Sequence, residues 1–149
     1  CFKAPLIANQ HSNKALINIL EELGSILGQL FQRGDDLLDY DVRNTENKAI
    51  LGDLKAKYLN SFGSFVCQGK SRPEIQKIVQ SQSLGEFKIN IGGEAEFDKQ
   101  LAAFDAINSK KIQLYHHLLE RMGEQIQPSE VQLVEFLRPL PDLLYWRRK

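Results

Sequence analysis

The sequence is short of cysteine and has no long apolar run. Its 149 residues contain two cysteines, Cys1 and Cys67, which form neither a CxxC pair nor a disulfide framework. This usage is typical of a reducing compartment. No stretch approaches the ~18 apolar residues that a membrane-spanning helix needs, and no secretory signal peptide is recognisable. We therefore expect a cytoplasmic protein without a membrane span.

The chain also lacks an excess of either charge. Lys and Arg total 19 residues, and Asp and Glu total 19. A balanced chain has no broad field to attract nucleic acid, so local groups must meet any bound anion. Hydrophobic residues make up 42% of the chain and charged residues 26%, which is ordinary for a globular domain. The composition favours one globular domain and gives no sign of a nucleic-acid partner.

Sustained strand alternation is missing, and helical spacing replaces it. One amphipathic helix is predicted to begin after a cap at Ser12 or Asn13 and to end near Tyr40, because leucines recur at three-four spacing: Leu16, Leu20, Leu23, Leu27 and Leu30. A second helix is predicted from a cap at Asp53 to about Gly69. Further helices are predicted over residues 73–79 and 95–122.

The remaining segments are less regular. Residues 81–94 contain one short candidate for an extended piece, Glu86–Ile91. The last segment begins at Pro128, is interrupted by Pro139 and Pro141, and finishes helical. The chain opens without methionine in an apolar stretch typical of a mid-helix position, so we expect an amino-terminal half that precedes it. The expected fold class is all-α.

Three aspartates stand together at the end of the first predicted helix. Asp35, Asp36 and Asp39 lie three and four residues apart, so their carboxylates can converge on one helix face. Like charges at this spacing cost a helix roughly 0.2–0.5 kcal/mol per pair, and the carboxyl end of a helix disfavours anions. A hard divalent cation such as Mg²⁺ would relieve this repulsion. The alternative is a solvated acidic face with no ligand.

Small residues precede the aspartates on the same helix. Gly24 and Gly28 fall on one side with Phe31 and Asp35 at helical spacing. Each glycine costs a helix about 1 kcal/mol relative to alanine, which suggests a packing or ligand reason for it. The neighbourhood therefore favours a functional cluster.

A fixed spacing runs through this segment: Gly28, Phe31, Gln32, Asp35, Asp36, Leu38 and Asp39. The pattern GxxFQxxDDxLD resembles the second aspartate-rich motif of the polyprenyl synthetase family, the trans-prenyltransferases. Downstream, Asn47–Lys48 and Asp53–Leu54 stand where that family has a Gly-Lys pair and an Asp-Leu pair. The resemblance covers nearly the whole chain, but its specific motifs lie within residues 24–54. It implies the carboxyl-terminal part, residues 1–149, of a helical bundle of the isoprenoid synthase type.

The resemblance also implies roles for individual residues. The three aspartates would hold Mg²⁺ that bridges an allylic diphosphate, with Asp35 and Asp36 acting in catalysis. Phe31 would face the substrate pocket, and Gln32 would lie beside the metal ligands.

The same resemblance implies a role for the downstream polar residues. Lys48 would neutralise diphosphate oxygens during catalysis, and Asp53 would support the metal ligands from behind. The family continues with Gly-Lys and Thr-Leu-Pro, whereas this chain has residues 55–62 of different sequence. Lys57, shifted by one residue, is a candidate replacement for the family's second lysine.

The implied activity is Mg²⁺-dependent condensation of an allylic prenyl diphosphate with isopentenyl diphosphate by a cytoplasmic homodimer. The family's first aspartate-rich motif lies upstream of Cys1, so we expect these 149 residues alone to be inactive. Two alternatives stay open: a non-catalytic or partner-dependent subunit of a heteromeric synthase, and a helical interaction module. A terpene cyclase is disfavoured, because the second metal site of those enzymes mixes Asn, Ser or Thr with acids.

Overall fold

The computed structural model describes residues 13–43, 49–126 and 131–147. Every regular element in these ranges is an α-helix, which confirms the all-α class. The helices are α1 (Lys14–Leu38), α2 (Gly52–Lys55), α3 (Ser61–Val66), α4 (Arg72–Val79), α5 (Leu84–Ile91), α6 (Glu94–Gly123), α7 (Val131–Leu137) and α8 (Leu140–Tyr145). None of the helices in this part of the chain is long and apolar enough to cross a membrane.

The described residues divide into two compact units. Unit 1 comprises residues 13–32, 108–126 and 131–146. Unit 2 comprises residues 33–43, 49–107 and 147. The aspartates of the α1 motif belong to unit 2, whereas Phe31 and Gln32 belong to unit 1.

In unit 1, α1 buries the predicted apolar stripe. Its buried side chains are Leu16, Ile19, Leu20, Leu23, Ile26, Leu27 and Leu30. The backbone N–H of Leu16 donates to Asn13 Oδ1 at 3.1 Å, which satisfies one of the otherwise unpaired donors of the first turn. Asn13 therefore caps the helix, as the sequence predicted. Ser12 lies outside the described residues.

Two prolines separate the last helices of unit 1. Helix α7 ends at Leu137, Pro139 is the N-cap of α8, and Pro141 lies in the first turn of α8. Proline fits the first turn because its missing N–H would have no partner there. The predicted interruption followed by a helix is confirmed, and Pro128 lies outside the described residues.

Unit 2 is built around aromatic rings. The centroid of Phe62 lies 4.9 Å from Tyr40, 5.4 Å from Phe104 and 5.9 Å from Phe97, in edge-on arrangements. Phe87 lies 4.9 Å from Tyr40. Such pairs contribute about 0.5–1.5 kcal/mol beyond their buried area. The cluster fixes the carboxyl end of α1 against α3, α5 and α6.

The single helix predicted from Asp53 to Gly69 is wrong, because two helices occupy this range. Helix α2 ends at Lys55, and Lys57 has a left-handed φ of 61°. Asn60 then caps α3 by accepting the N–H of Gly63 at 3.0 Å. The expected cap is corrected too: α2 begins at Gly52 after Leu51, so Asp53 is its second residue.

The extended piece suggested for Glu86–Ile91 is also wrong, since this range belongs to α5. Ser83 Oγ accepts the N–H of Glu86 at 3.2 Å and caps the helix. Phe87 and Ile91, four residues apart, are both buried. The buried apolar side chains therefore recur every four residues, as in a helix, and not every two, as in a strand.

The other two predicted helices are confirmed. Helix α4 starts at Arg72 with Pro73 in its first turn, and Ser71 and Glu74 form a reciprocal capping box. Helix α6 runs from Glu94 to Gly123, within one residue of the prediction at each end.

Candidate functional site

The three aspartates of the motif differ sharply in exposure. Asp36 is 3% exposed and Asp39 is 1% exposed, whereas the side chain of Asp35 is 34% exposed. Asp35 and Asp36 lie in the last turn of α1, and Asp39 directly follows its end, all within unit 2. The motif thus presents one carboxylate outward and buries two.

Asp36 holds the start of α3. Its Oδ2 accepts the backbone N–H of Ser61 at 2.8 Å, across 25 residues of sequence. Its backbone carbonyl accepts Asn60 Nδ2 at 3.2 Å. The amino end of a helix carries unpaired N–H groups and a partial positive charge, so a buried carboxylate is stable there.

Asp39 does the same for the segment that enters α2. Its Oδ2 accepts the N–H of Asp53 at 2.9 Å, and its backbone carbonyl accepts the N–H of Leu51 at 2.8 Å. Asp53 in turn accepts Asn60 Nδ2 at 3.1 Å through its Oδ2. Asp53 therefore joins the network of the cluster, and Asn60 links it to the backbone carbonyl of Asp36.

Asn60 connects the whole network and is not among the residues predicted from the sequence. The side chain is 2% exposed and uses both ends of its amide, with Oδ1 accepting Tyr40 Oη at 3.2 Å as well as the N–H of Gly63. Position 63 requires glycine, since a Cβ there would lie 2.9 Å from Tyr40 Oη. A polar cap residue before an apolar run is the signal that reveals such an Asn.

Tyr40 adds a neutral donor beneath the carboxylates. Burial, followed by the charges of Asp39, Asp53 and Asp36, raises the pKa of its hydroxyl well above the ordinary value. Both causes disfavour the phenolate, because it would add a further anion to a buried and already negative environment. The hydroxyl therefore stays protonated and keeps donating to Asn60.

Asp35 faces a cation supplied by the other end of unit 2. Its Oδ1 lies 3.6 Å from Arg147 Nη1, and the Arg147 side chain is 23% exposed. Arg147 is not among the site residues predicted from the sequence. No motif marks it, because the pairing joins residues more than a hundred positions apart.

The remaining predicted site residues do not join this group. Phe31 is 46% exposed and Gln32 is exposed, both in unit 1. At Gly28 an added Cβ would meet no atom within 4 Å, so packing does not explain that glycine. Lys57 is exposed beside Lys55 in unit 2. Lys48 lies outside the described residues.

The fit of these residues to Mg²⁺ follows from their burial. In the ranges that the structure describes, no group of three His, Cys, Asp or Glu side chains is arranged to hold a metal ion. Mg²⁺ commonly binds through one or two carboxylates, with waters and substrate phosphates completing its shell. Asp35 fits that role, since its carboxylate reaches the surface. Asp36 and Asp39 fit a supporting role, since each directs an oxygen to a backbone N–H.

No protein-family model matches this chain, and neither curated proteins nor solved structures gave a significant match.

Proposed function

We propose that this chain supplies the magnesium- and diphosphate-binding end of a trans-prenyltransferase of the isoprenoid synthase type. The complete protein would condense an allylic prenyl diphosphate with isopentenyl diphosphate and would act as a homodimer. The proposal rests on the resemblance of the GxxFQxxDDxLD segment, and the structure adds one observation to it. Of the three carboxylates, only that of Asp35 is substantially exposed, and it lies beside a cation.

This arrangement supports the proposal because it separates two tasks. Asp36 holds α3 at the end of α1 by accepting a backbone N–H at 2.8 Å, and Asp39 holds α2 in the same way at 2.9 Å. A carboxylate on such a fixed helix end has little freedom to lose when it takes a ligand. Asp35 is then the residue that we expect to contact the metal.

Bound Mg²⁺ would supply electrostatic stabilisation of the diphosphate as it leaves the allylic carbon. The chain's own residues have complementary tasks. Asp35 would position the ion, and Arg147, now 3.6 Å from Asp35, can turn its guanidinium towards diphosphate oxygens. Lys48 stays a predicted diphosphate ligand, and Phe31 and Gln32 stay predicted substrate contacts.

A helical interaction module without metal chemistry is the second candidate. One observation favours it: the buried aspartates Asp36 and Asp39 already have a structural use, as anchors for α3 and α2. The same observation is compatible with a non-catalytic subunit of a heteromeric synthase. Neither candidate needs a contact between Asp35 and a metal.

Magnesium-dependent binding of inorganic pyrophosphate tests the proposal. We expect calorimetric titration of the full chain to show a binding component that EDTA removes. Asp35→Ala should weaken this binding at least about tenfold, the equivalent of 1.4 kcal/mol. The free energy of unfolding should change by less than about 1 kcal/mol, because partly exposed ion pairs contribute little. Asp98→Ala, at an exposed position on α6, is the matched control and should bind like the wild type.

Asp36→Ala separates the two tasks. It should lower the free energy of unfolding by about 1–3 kcal/mol, since the N–H of Ser61 loses its partner. Urea unfolding followed by circular dichroism measures the difference. If no part of the pyrophosphate binding requires magnesium, or if Asp35→Ala leaves the magnesium-dependent part intact, the interaction module is the better explanation.

A further inference from the structure

We infer that a second site exists in unit 2: a cavity between α2 and α4 that binds a phosphate or diphosphate ester carrying an apolar chain. The cavity has a volume of about 510 Å³, which lies in the range of ligand sites. None of the aspartates of the α1 motif lines it. The cavity is therefore separate from that cluster, and of the substrate contacts that the family resemblance implies it includes only Lys57.

Helix α4 gives this cavity an apolar wall. Arg72, Ile75, Gln76 and Val79 lie at helical spacing on one face of α4, and that face lines the cavity. Ile75 and Val79 are only half-buried, whereas Ile78 on another face is fully buried in the core. The apolar side chains at the cavity thus remain partly in contact with water, and an apolar ligand would cover them.

The polar part of the cavity carries one sign of charge. Lys55, Lys57 and Arg72 line it, and no acidic residue does. In the described ranges, none of these three cations makes a salt bridge. Three unneutralised cations around one cavity attract an anion with several oxygens.

The acids nearest in sequence are directed elsewhere. Glu74 accepts the N–H of Ser71 at 2.8 Å, and Glu86 accepts the N–H of Gln82 at 2.8 Å. Asp53 accepts Asn60 Nδ2 at 3.1 Å. Local carboxylates are therefore engaged in caps and in the network, which leaves the cations available to a ligand.

The backbone at Lys57 is strained in a way that favours glycine. Its φ of 61° is left-handed, and the N–H of Tyr58 donates to the carbonyl of Asp53 at 2.9 Å, while that of Lys57 donates to Leu54 at 2.9 Å. This is the Schellman ending of α2, with Lys57 at the position that usually holds glycine. A lysine there costs roughly 1–2 kcal/mol, so replacement by glycine would relieve strain.

The combination selects one class of ligand. Charge alone would suit inorganic phosphate, and an apolar wall alone would suit a neutral lipid. A lining that combines three cations with the apolar side chains of Ile75 and Val79 suits a molecule with both parts. Each buried CH₂ of the chain contributes about 0.8 kcal/mol.

Titration in EDTA tests the inference without the metal site. The probes are hexyl phosphate, inorganic phosphate and hexanol, each followed by amide chemical shifts of the full chain. We expect saturable shifts at residues 54–57 and 75–82 with hexyl phosphate, binding at least about tenfold tighter than that of inorganic phosphate, and none with hexanol. Equal affinity for the two phosphates would overturn the inference, as would binding of hexanol.

Variants at Lys57 test it in a second way. Lys57→Gly should weaken hexyl phosphate binding about tenfold, the equivalent of 1.4 kcal/mol, and should also shift the urea midpoint upward, because the left-handed strain is relieved. Lys57→Asn, which tolerates the same φ, should lose binding equally. Lys77→Ala, on α4 outside the cavity lining, is the charge-matched control and should bind normally. Full affinity in Lys57→Gly would contradict the inference.

Discussion

Asn60→Ala is expected to lower the free energy of unfolding by about 3–4 kcal/mol. The side chain of Asn60 makes four hydrogen bonds, which satisfy both its donors and its acceptor. Its Nδ2 donates to the Asp36 carbonyl at 3.2 Å and to Asp53 Oδ2 at 3.1 Å. Its Oδ1 accepts the N–H of Gly63 at 3.0 Å and the hydroxyl of Tyr40 at 3.2 Å.

The effect is large because the alanine variant leaves several polar groups without their hydrogen-bond partner. The helix cap of α3 is lost, which alone costs about 1 kcal/mol. The Tyr40 hydroxyl is left in the interior, where an unsatisfied polar group costs about 1–3 kcal/mol. The Asp53 carboxylate loses the donor that balanced its charge. A network of this kind loses more than the sum of its isolated pairs.

Urea unfolding followed by circular dichroism measures this loss. Asn90→Ala is the matched control, since its Nδ2 also donates twice, to the Lys77 carbonyl at 3.1 Å and to Ser81 Oγ at 2.9 Å. Because Asn90 is only half-buried, we expect a loss of about 1 kcal/mol there. If the two variants lost equal stability, Asn60 would not be the centre of the network.

Local sequence patterns predicted some helices correctly and others wrongly. The spacing of Leu16, Leu20 and Leu23 predicted α1, because an amphipathic stripe is a local signal and its cap at Asn13 is local too. In the range 53–69 the apolar spacing wrongly predicted a single helix. Leu54, Tyr58 and Phe62 fit one helix, yet Tyr58 is 64% exposed and the chain turns between them.

The aspartate motif shows the corresponding limit for the site. Helical spacing correctly put Asp35, Asp36 and Asp39 at one helix end. It could not show that Asp39 accepts the N–H of Asp53, 14 residues later. Nor could it show that Asp36 accepts the N–H of Ser61, 25 residues later. The chain reaches these partners through turns at Leu51 and Lys57, whose left-handed φ values of 55° and 61° no residue preference announces.

Raising the pH is expected to unfold the protein through its buried tyrosines. Tyr115 is fully buried and donates to the Leu137 carbonyl at 3.0 Å, and burial raises the pKa of its hydroxyl to about 12. The pKa of Tyr40 is raised as well, by burial and by neighbouring carboxylates. Both tyrosines stay protonated in the folded state at pH values where the unfolded chain has lost those protons.

The sign of the effect follows from proton binding. A tyrosine in the unfolded chain titrates near pH 10. Between about pH 10 and 12 the folded state therefore binds more protons, so stability falls as the pH rises. Each tyrosine contributes a slope of about 1.4 kcal/mol per pH unit, and the two together remove roughly 5 kcal/mol over this window. A domain with a typical stability of about 5–15 kcal/mol loses much of its margin.

Tyr115→Phe tests this expectation, because the difference in stability between the variant and the wild type should change sign with pH. At neutral pH the variant should be about 1 kcal/mol less stable than the wild type, since the hydrogen bond to Leu137 is lost. Above about pH 11 it should be the more stable of the two, since it cannot ionise on unfolding. Urea midpoints across the pH range, with tyrosinate absorbance to mark ionisation, measure both. Tyr58→Phe, at an exposed tyrosine, should follow the wild type throughout. Parallel curves for Tyr115→Phe and the wild type would mean that the phenol at position 115 ionises without unfolding, and that the α7 end beside it opens to water.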